Sequence, residues 1–86
     1  MPENNTIDLV VVVSGRPEPV RAHPNEKVVD VVRTALRESG NQGQPPENWE
    51  LRTEQGVVIS QDQTVREAGL LSGMTLFLNP EAGAGG

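Results

Sequence analysis

The residues with the clearest chemical potential lie at the C-terminal end. Gly83, Ala84, Gly85 and Gly86 carry nothing bulkier than a methyl group. A segment this slim can thread a narrow channel, and glycine lets a partner backbone approach closely. The seven residues from Pro80 onward reach about 23–25 Å when fully extended. A terminal glycine also presents an unhindered carboxyl. Once activated by ATP-derived phosphate chemistry, its carbonyl is open to a thiol or an amine. Taken alone, the same residues read more simply as a plain chain end.

Other chemistry is poorly supported. Ser14 and His23 could be nominated with a carboxylate as a triad, but no nucleophile elbow surrounds the serine and the histidine stands beside Pro24. The acid pairs Glu47/Glu50 and Glu26/Asp30 are most simply solvated faces, because a catalytic pair needs a cleft. The C-terminal glycines do not lead from a strand into a helix, so they are no phosphate loop. With no cysteine and one histidine among 86 residues, neither a disulfide nor a cysteine-zinc site can form, and no metal site is expected. The reading is therefore of a non-enzyme that needs no cofactor of its own.

Charge narrows the partners. Six arginines and one lysine against twelve acids give a net charge of −5, which argues against a nucleic-acid groove. The longest apolar run, Leu9 to Val13, falls far short of the roughly 20 residues of a membrane span. The start, Met-Pro-Glu-Asn-Asn, lacks the basic and apolar regions of a secretory signal, so a cytoplasmic location is expected.

These features must be carried by one small domain, expected over residues 6–79 between a flexible leader (1–5) and a flexible tail (80–86). Ile7 to Val13 is β-branched and is followed by turn residues Ser14 to Pro17, with an alternating return from Pro19 to His23. Val28, Val31, Val32, Ala35 and Leu36 recur at spacings of three and four, predicting a helix from Lys27 to Ser39 with Asn25 as N-cap and Gly40 as its stop. Trp49 to Arg52 and Val57 to Ile59 read as short strands. A loop with a helical turn follows over 61–71, and then a last strand, Met74 to Leu78, stopped by Asn79-Pro80. The order β-β-α-β-β-β predicts an α+β, grasp-type fold: a mixed sheet of four to five strands packed on one helix.

From Val20 onward the sequence resembles ubiquitin and its relatives. The shared features are the helix start at Pro24 to Val28, Gly40, Pro45-Pro46, Leu51, Thr64, Leu70, Thr75-Leu76, Leu78 and the Gly85-Gly86 end. More narrowly, Gly40-Asn41, Gly43, Pro45-Pro46, Trp49-Glu50-Leu51-Arg52 and the Gly83-Ala84-Gly85-Gly86 end look like the bacterial ubiquitin-like modifiers. Those are encoded beside ubiquitin-type activating and conjugating enzymes and a metallopeptidase of deubiquitinase type. The resemblance implies the β-grasp (ubiquitin-like) fold and a modifier attached covalently through Gly86, with Gly83, Ala84 and Gly85 recognised in the tail. ATP would be consumed by the activating enzyme. A sulfur carrier ending as a thiocarboxylate and a non-covalent interaction domain share the same frame and stand as alternatives.

Departures from ubiquitin are equally informative. The positions aligned with two of ubiquitin's aliphatic patch residues are Arg52 and Asn79, and the loop from Ser14 to Glu18 has no leucine for the third. Strand alternation instead turns Val10, Val12 and Phe77 outward, and adjacent first and last strands would join them into an apolar partner patch. Lys27 is the sole lysine and hence the one side-chain amine on which a chain could grow, so single additions are expected.

Overall fold

The computed structural model describes residues 6–81. The expected leader, and Gly83, Ala84, Gly85 and Gly86 of the tail, lie outside the described residues. Strands β1 (Ile7–Val13) and β2 (Arg16–Ala22) form a hairpin. Helix α1 (Val28–Glu38) and a 3-10 turn (Pro46–Asn48) follow, then β3 (Trp49–Arg52) and β4 (Thr75–Pro80). The four strands make one mixed sheet in the order β2-β1-β4-β3, with β1 and β4 parallel and the other pairs antiparallel. This is the β-grasp arrangement.

Alternation along the strands decides what is buried. Leu9, Val11 and Val13 of β1, Val20 and Ala22 of β2, Leu51 of β3, and Leu76 and Leu78 of β4 share the inner face. All five apolar helix residues, Val28, Val31, Val32, Ala35 and Leu36, are buried in the same core. Valine is a mediocre helix former, so burial holds α1 where propensity would not.

The local differences from expectation each have a physical reason. The β1–β2 turn has only two residues, Ser14 and Gly15, so Arg16 and Pro17 belong to β2 rather than to the turn. Both turn residues have positive φ, 49° and 87°, as a type I′ turn requires. Serine is strained there. Ser14→Asn is expected to stabilise the fold by about 0.5 kcal/mol, because asparagine tolerates this conformation better; chemical denaturation with an unchanged slope would check it.

Asn25 does not cap α1. The residue at the N-cap is Lys27, whose side chain makes no capping bond. The first helical N–H groups are satisfied from across the molecule instead: Val28 N donates to Gln63 O (2.8 Å) and Val29 N to Gln61 O (3.1 Å). Gly40 does adopt positive φ, 85°, beyond the helix end.

The expected Val57–Ile59 strand is reduced to an isolated bridge between Arg52 and Val58. Near Thr64 the expected short helical turn is present as a single turn, with Ala68 N donating to Thr64 O (3.0 Å), and it opens on a capping box without a longer helix. Thr64 Oγ1 accepts from Glu67 N (3.0 Å) while Glu67 Oε1 accepts from Thr64 N (2.9 Å).

Finally, β4 runs through Pro80, which pairs with Trp49, and does not stop at Leu78. Glu81 N donates to Asn48 O (2.8 Å), so Pro80 falls on the alternate position, with its missing N–H facing away from β3. On that side the ladder with β1 has already ended at Leu78. β4 thus extends one residue past Asn79.

Candidate functional site

Two places hold the candidate site residues: the outer sheet face and the end of β4 at Glu81. On the outer face the register sets Val12 beside Phe77, with Val10 beside Thr75. Val10, Val12 and Phe77 thus come together as their alternation implied. They are half-buried rather than fully exposed, because β1 and β4 are interior strands and each side chain has neighbours on both sides.

The same face holds residues that sequence reasoning missed. Pro17 pairs with Val12 and Pro19 with Val10, and both prolines are exposed. The apolar area therefore extends from Phe77 to the β2 edge. The alternation of proline with charge in Arg16-Pro17-Glu18-Pro19 was the available signal, obscured by reading Pro17 as turn chemistry. These prolines also blunt the edge. Proline cannot occupy a bonded antiparallel pair, so both sit where β2 would otherwise offer outward N–H groups.

Charge frames this face. At one end Arg21 Nε donates to Asp8 Oδ1 (3.1 Å). At the other, Arg52 Nη2 stands 2.8 Å from Glu50 Oε1, and Arg52 Nη1 donates to Gly56 O (3.1 Å). Arg52 pairs in register with Phe77, and Asn79 lies one outward position further along β4. An apolar centre with a polar rim is the usual anatomy of a protein-binding surface.

At the end of β4, the bond from Glu81 N to Asn48 O fixes the last described residue against the 3-10 turn. Gly83, Ala84, Gly85 and Gly86 follow it in the sequence, outside the described residues. Lys27 lies elsewhere, at the start of α1. It is exposed, and its Nζ donates to the backbone carbonyl of Asp62 (3.0 Å). His23 is exposed at the end of the hairpin, with its backbone N–H donating to Glu26 Oε1 (2.9 Å). Trp49 is buried in the core on the same strand face as Leu51. Among the described residues no histidine, cysteine and carboxylate group is arranged to hold a metal ion, and no helix is long and apolar enough to cross a membrane.

Solved structures place this architecture in a class. A de novo design based on ubiquitin superposes with a TM-score of 0.79 over 98% of this chain and 99% of its own, at 19% identity. The ubiquitin of Caldiarchaeum subterraneum gives 0.72 over 88% of this chain and 94% of its own, also at 19% identity. The UBL domain of Plasmodium falciparum Dsk2 gives 0.70 over 88% and 99%, at 18% identity. The protein has the ubiquitin-like fold. By sequence it belongs to the DUF2604 family of proteins of unknown function, whose model matches residues 2–86. It is 42% identical over 81 residues to the uncharacterized protein y4jI of Sinorhizobium fredii (strain NBRC 101917 / NGR234). That match covers 93% of this chain but only 62% of y4jI.

Proposed function

We propose that this protein is a bacterial ubiquitin-like modifier conjugated to other proteins through Gly86. The observation that carries the reading is a ubiquitin-like sheet whose last strand, ending at Pro80, is followed in the sequence by Gly83-Ala84-Gly85-Gly86. In the proposed sequence, the Gly86 carboxylate attacks the α-phosphorus of ATP on an activating enzyme and releases pyrophosphate. An enzyme thiolate then takes the acyl group and releases AMP, and a target amine displaces the thiol to leave an isopeptide bond. The modifier itself contributes no catalytic group and no cofactor. It supplies an unhindered carboxyl and a face to be recognised, for which Val10, Val12 and Phe77 are the candidates.

The partners implied are ubiquitin-type activating and conjugating enzymes, a deubiquitinase-type metallopeptidase, and the target proteins, all cytoplasmic. Lys27 is the one side-chain amine through which a second copy could be added.

The test compares N-terminally tagged protein with a version lacking Gly86, both expressed in the native cells and analysed under denaturing conditions. Adducts that survive denaturation are expected only with Gly86 present. Exchange of oxygen for sulfur at the terminus would make the protein a sulfur carrier instead. A bare chain in both samples would leave a non-covalent interaction domain.

A further inference from the structure

A groove runs along the outer edge of β3, between the strand and the segment 58–62, and Glu81, the last described residue, is part of its lining. Trp49 lines its floor at 8% exposure, and Val58, 51% exposed, stands at its side. Glu47, Glu50, Asp62 and Glu81 line the same groove. Its walls are tied together rather than merely adjacent. Gln61 Nε2 donates to Trp49 O (2.9 Å) and Pro46 O (3.1 Å), and Ile59 N donates to Leu51 O (2.8 Å).

Of the four carboxylates only Glu50 has a cation, Arg52 at 2.8 Å. Among the described residues, Glu47, Asp62 and Glu81 make no ion pair, and the ammonium of Lys27 is directed at the Asp62 carbonyl rather than its carboxylate. We propose that this groove docks an arginine- or lysine-bearing, partly apolar segment of the partner protein that grips the C-terminal tail. The inference rests on the modifier reading for the identity of that partner and on the groove for its chemistry.

Three arguments select this occupant. Like carboxylates gathered around an apolar floor favour an incoming cation, which removes their mutual repulsion and sets register. The side chains of residues 1–5 and 82–86 include no lysine, arginine or histidine to answer that charge, and a second copy brings its own net charge of −5. The third is reach. The five residues 82–86 span at most about 18 Å of extended chain, so a partner holding Gly86 stands within that reach of Glu81 in the groove lining.

The test titrates the full chain with a peptide of alternating arginine and leucine, followed by the emission of Trp49, the sole tryptophan. A saturable shift is expected that weakens with added salt and is unchanged when Gly86 is removed. It should weaken roughly tenfold in Kd in the Glu47→Gln, Asp62→Asn, Glu81→Gln triple variant, whose exposed substitutions leave the melting temperature in place. No saturable shift, an equal response to a glutamate–leucine peptide, or an unaffected triple variant would overturn the proposal. In cells, adducts that depend on Gly86 yet are undiminished in the triple variant would overturn the groove and leave the modifier reading standing. Absence of adducts from every version would remove the modifier reading, and the peptide titration would then decide the groove alone.

Discussion

Leu78→Ala is expected to cost about 3 kcal/mol of folding stability, which for a domain this small is a large share of the roughly 5–15 kcal/mol available. Leu78 is fully buried at the centre of the sheet, paired with Val13 of β1 on one side and Leu51 of β3 on the other. Its removal opens a cavity where β1, β3 and β4 meet, and interior strands fixed on both sides relax poorly into such a space. The packed core has little redundancy, since 86 residues bury a smaller fraction of their surface than a larger domain would. Urea unfolding followed by circular dichroism measures the change in midpoint. A loss below about 1 kcal/mol would contradict the assignment of Leu78 to the centre of the core.

The second large effect concerns transfer rather than folding. Phe77→Asp is expected to cut charging by the activating enzyme at least tenfold while the domain stays folded. Phe77 is half-buried on the outer face, beside Val12 in register, so the core beneath it (Leu76 and Leu78) is untouched. A carboxylate placed there disrupts the apolar centre and would have to be desolvated by any partner covering it. Because aspartate is a poor strand former, Phe77→Thr serves as the companion variant, removing the ring without adding charge. The two variants should lose charging in the order Asp more than Thr, with melting temperatures near that of the unaltered protein. Unchanged charging in both would remove this face from enzyme docking.

The fold was largely legible because two periodicities in the sequence answer to one core. The alternation of Ile7 to Val13 and of Met74 to Leu78, and the three-four spacing from Val28 to Leu36, each mark a face that has to be covered by the others. What was not legible depended on groups distant in sequence. The α1 N-terminus is satisfied by Gln61 O and Gln63 O, partners more than thirty residues away, so Asn25 looked like a cap that the chain does not need. The Val57–Ile59 run looked like a strand, yet β3 receives only the Arg52–Val58 bridge and single bonds such as Ile59 N to Leu51 O. Pro80 looked like a stop because proline cannot donate, but it occupies a position where no donor is called for.

The candidate site was legible in part. Val10, Val12 and Phe77 followed from parity once β1 and β4 were taken as neighbours. The contribution of Pro17 and Pro19 required the two-residue turn at Ser14-Gly15, which shifts the whole of β2 into register. The groove beside Trp49 draws on Glu47, Glu50, Asp62 and Glu81, which three separate segments bring together, and no local pattern announces it.

The modifier reading is tested most directly at the bond it requires. The last basic residue is Arg66, so trypsin leaves residues 67–86 on any acceptor, whereas a glutamate-specific protease cutting after Glu81 leaves only Ala82–Gly86. Mass spectrometry of such digests should find Ala82–Gly86 joined, with loss of one water, to lysine side chains of other proteins. Finding Gly86 in every peptide as a free carboxylate, or with sulfur in place of oxygen, would contradict conjugation.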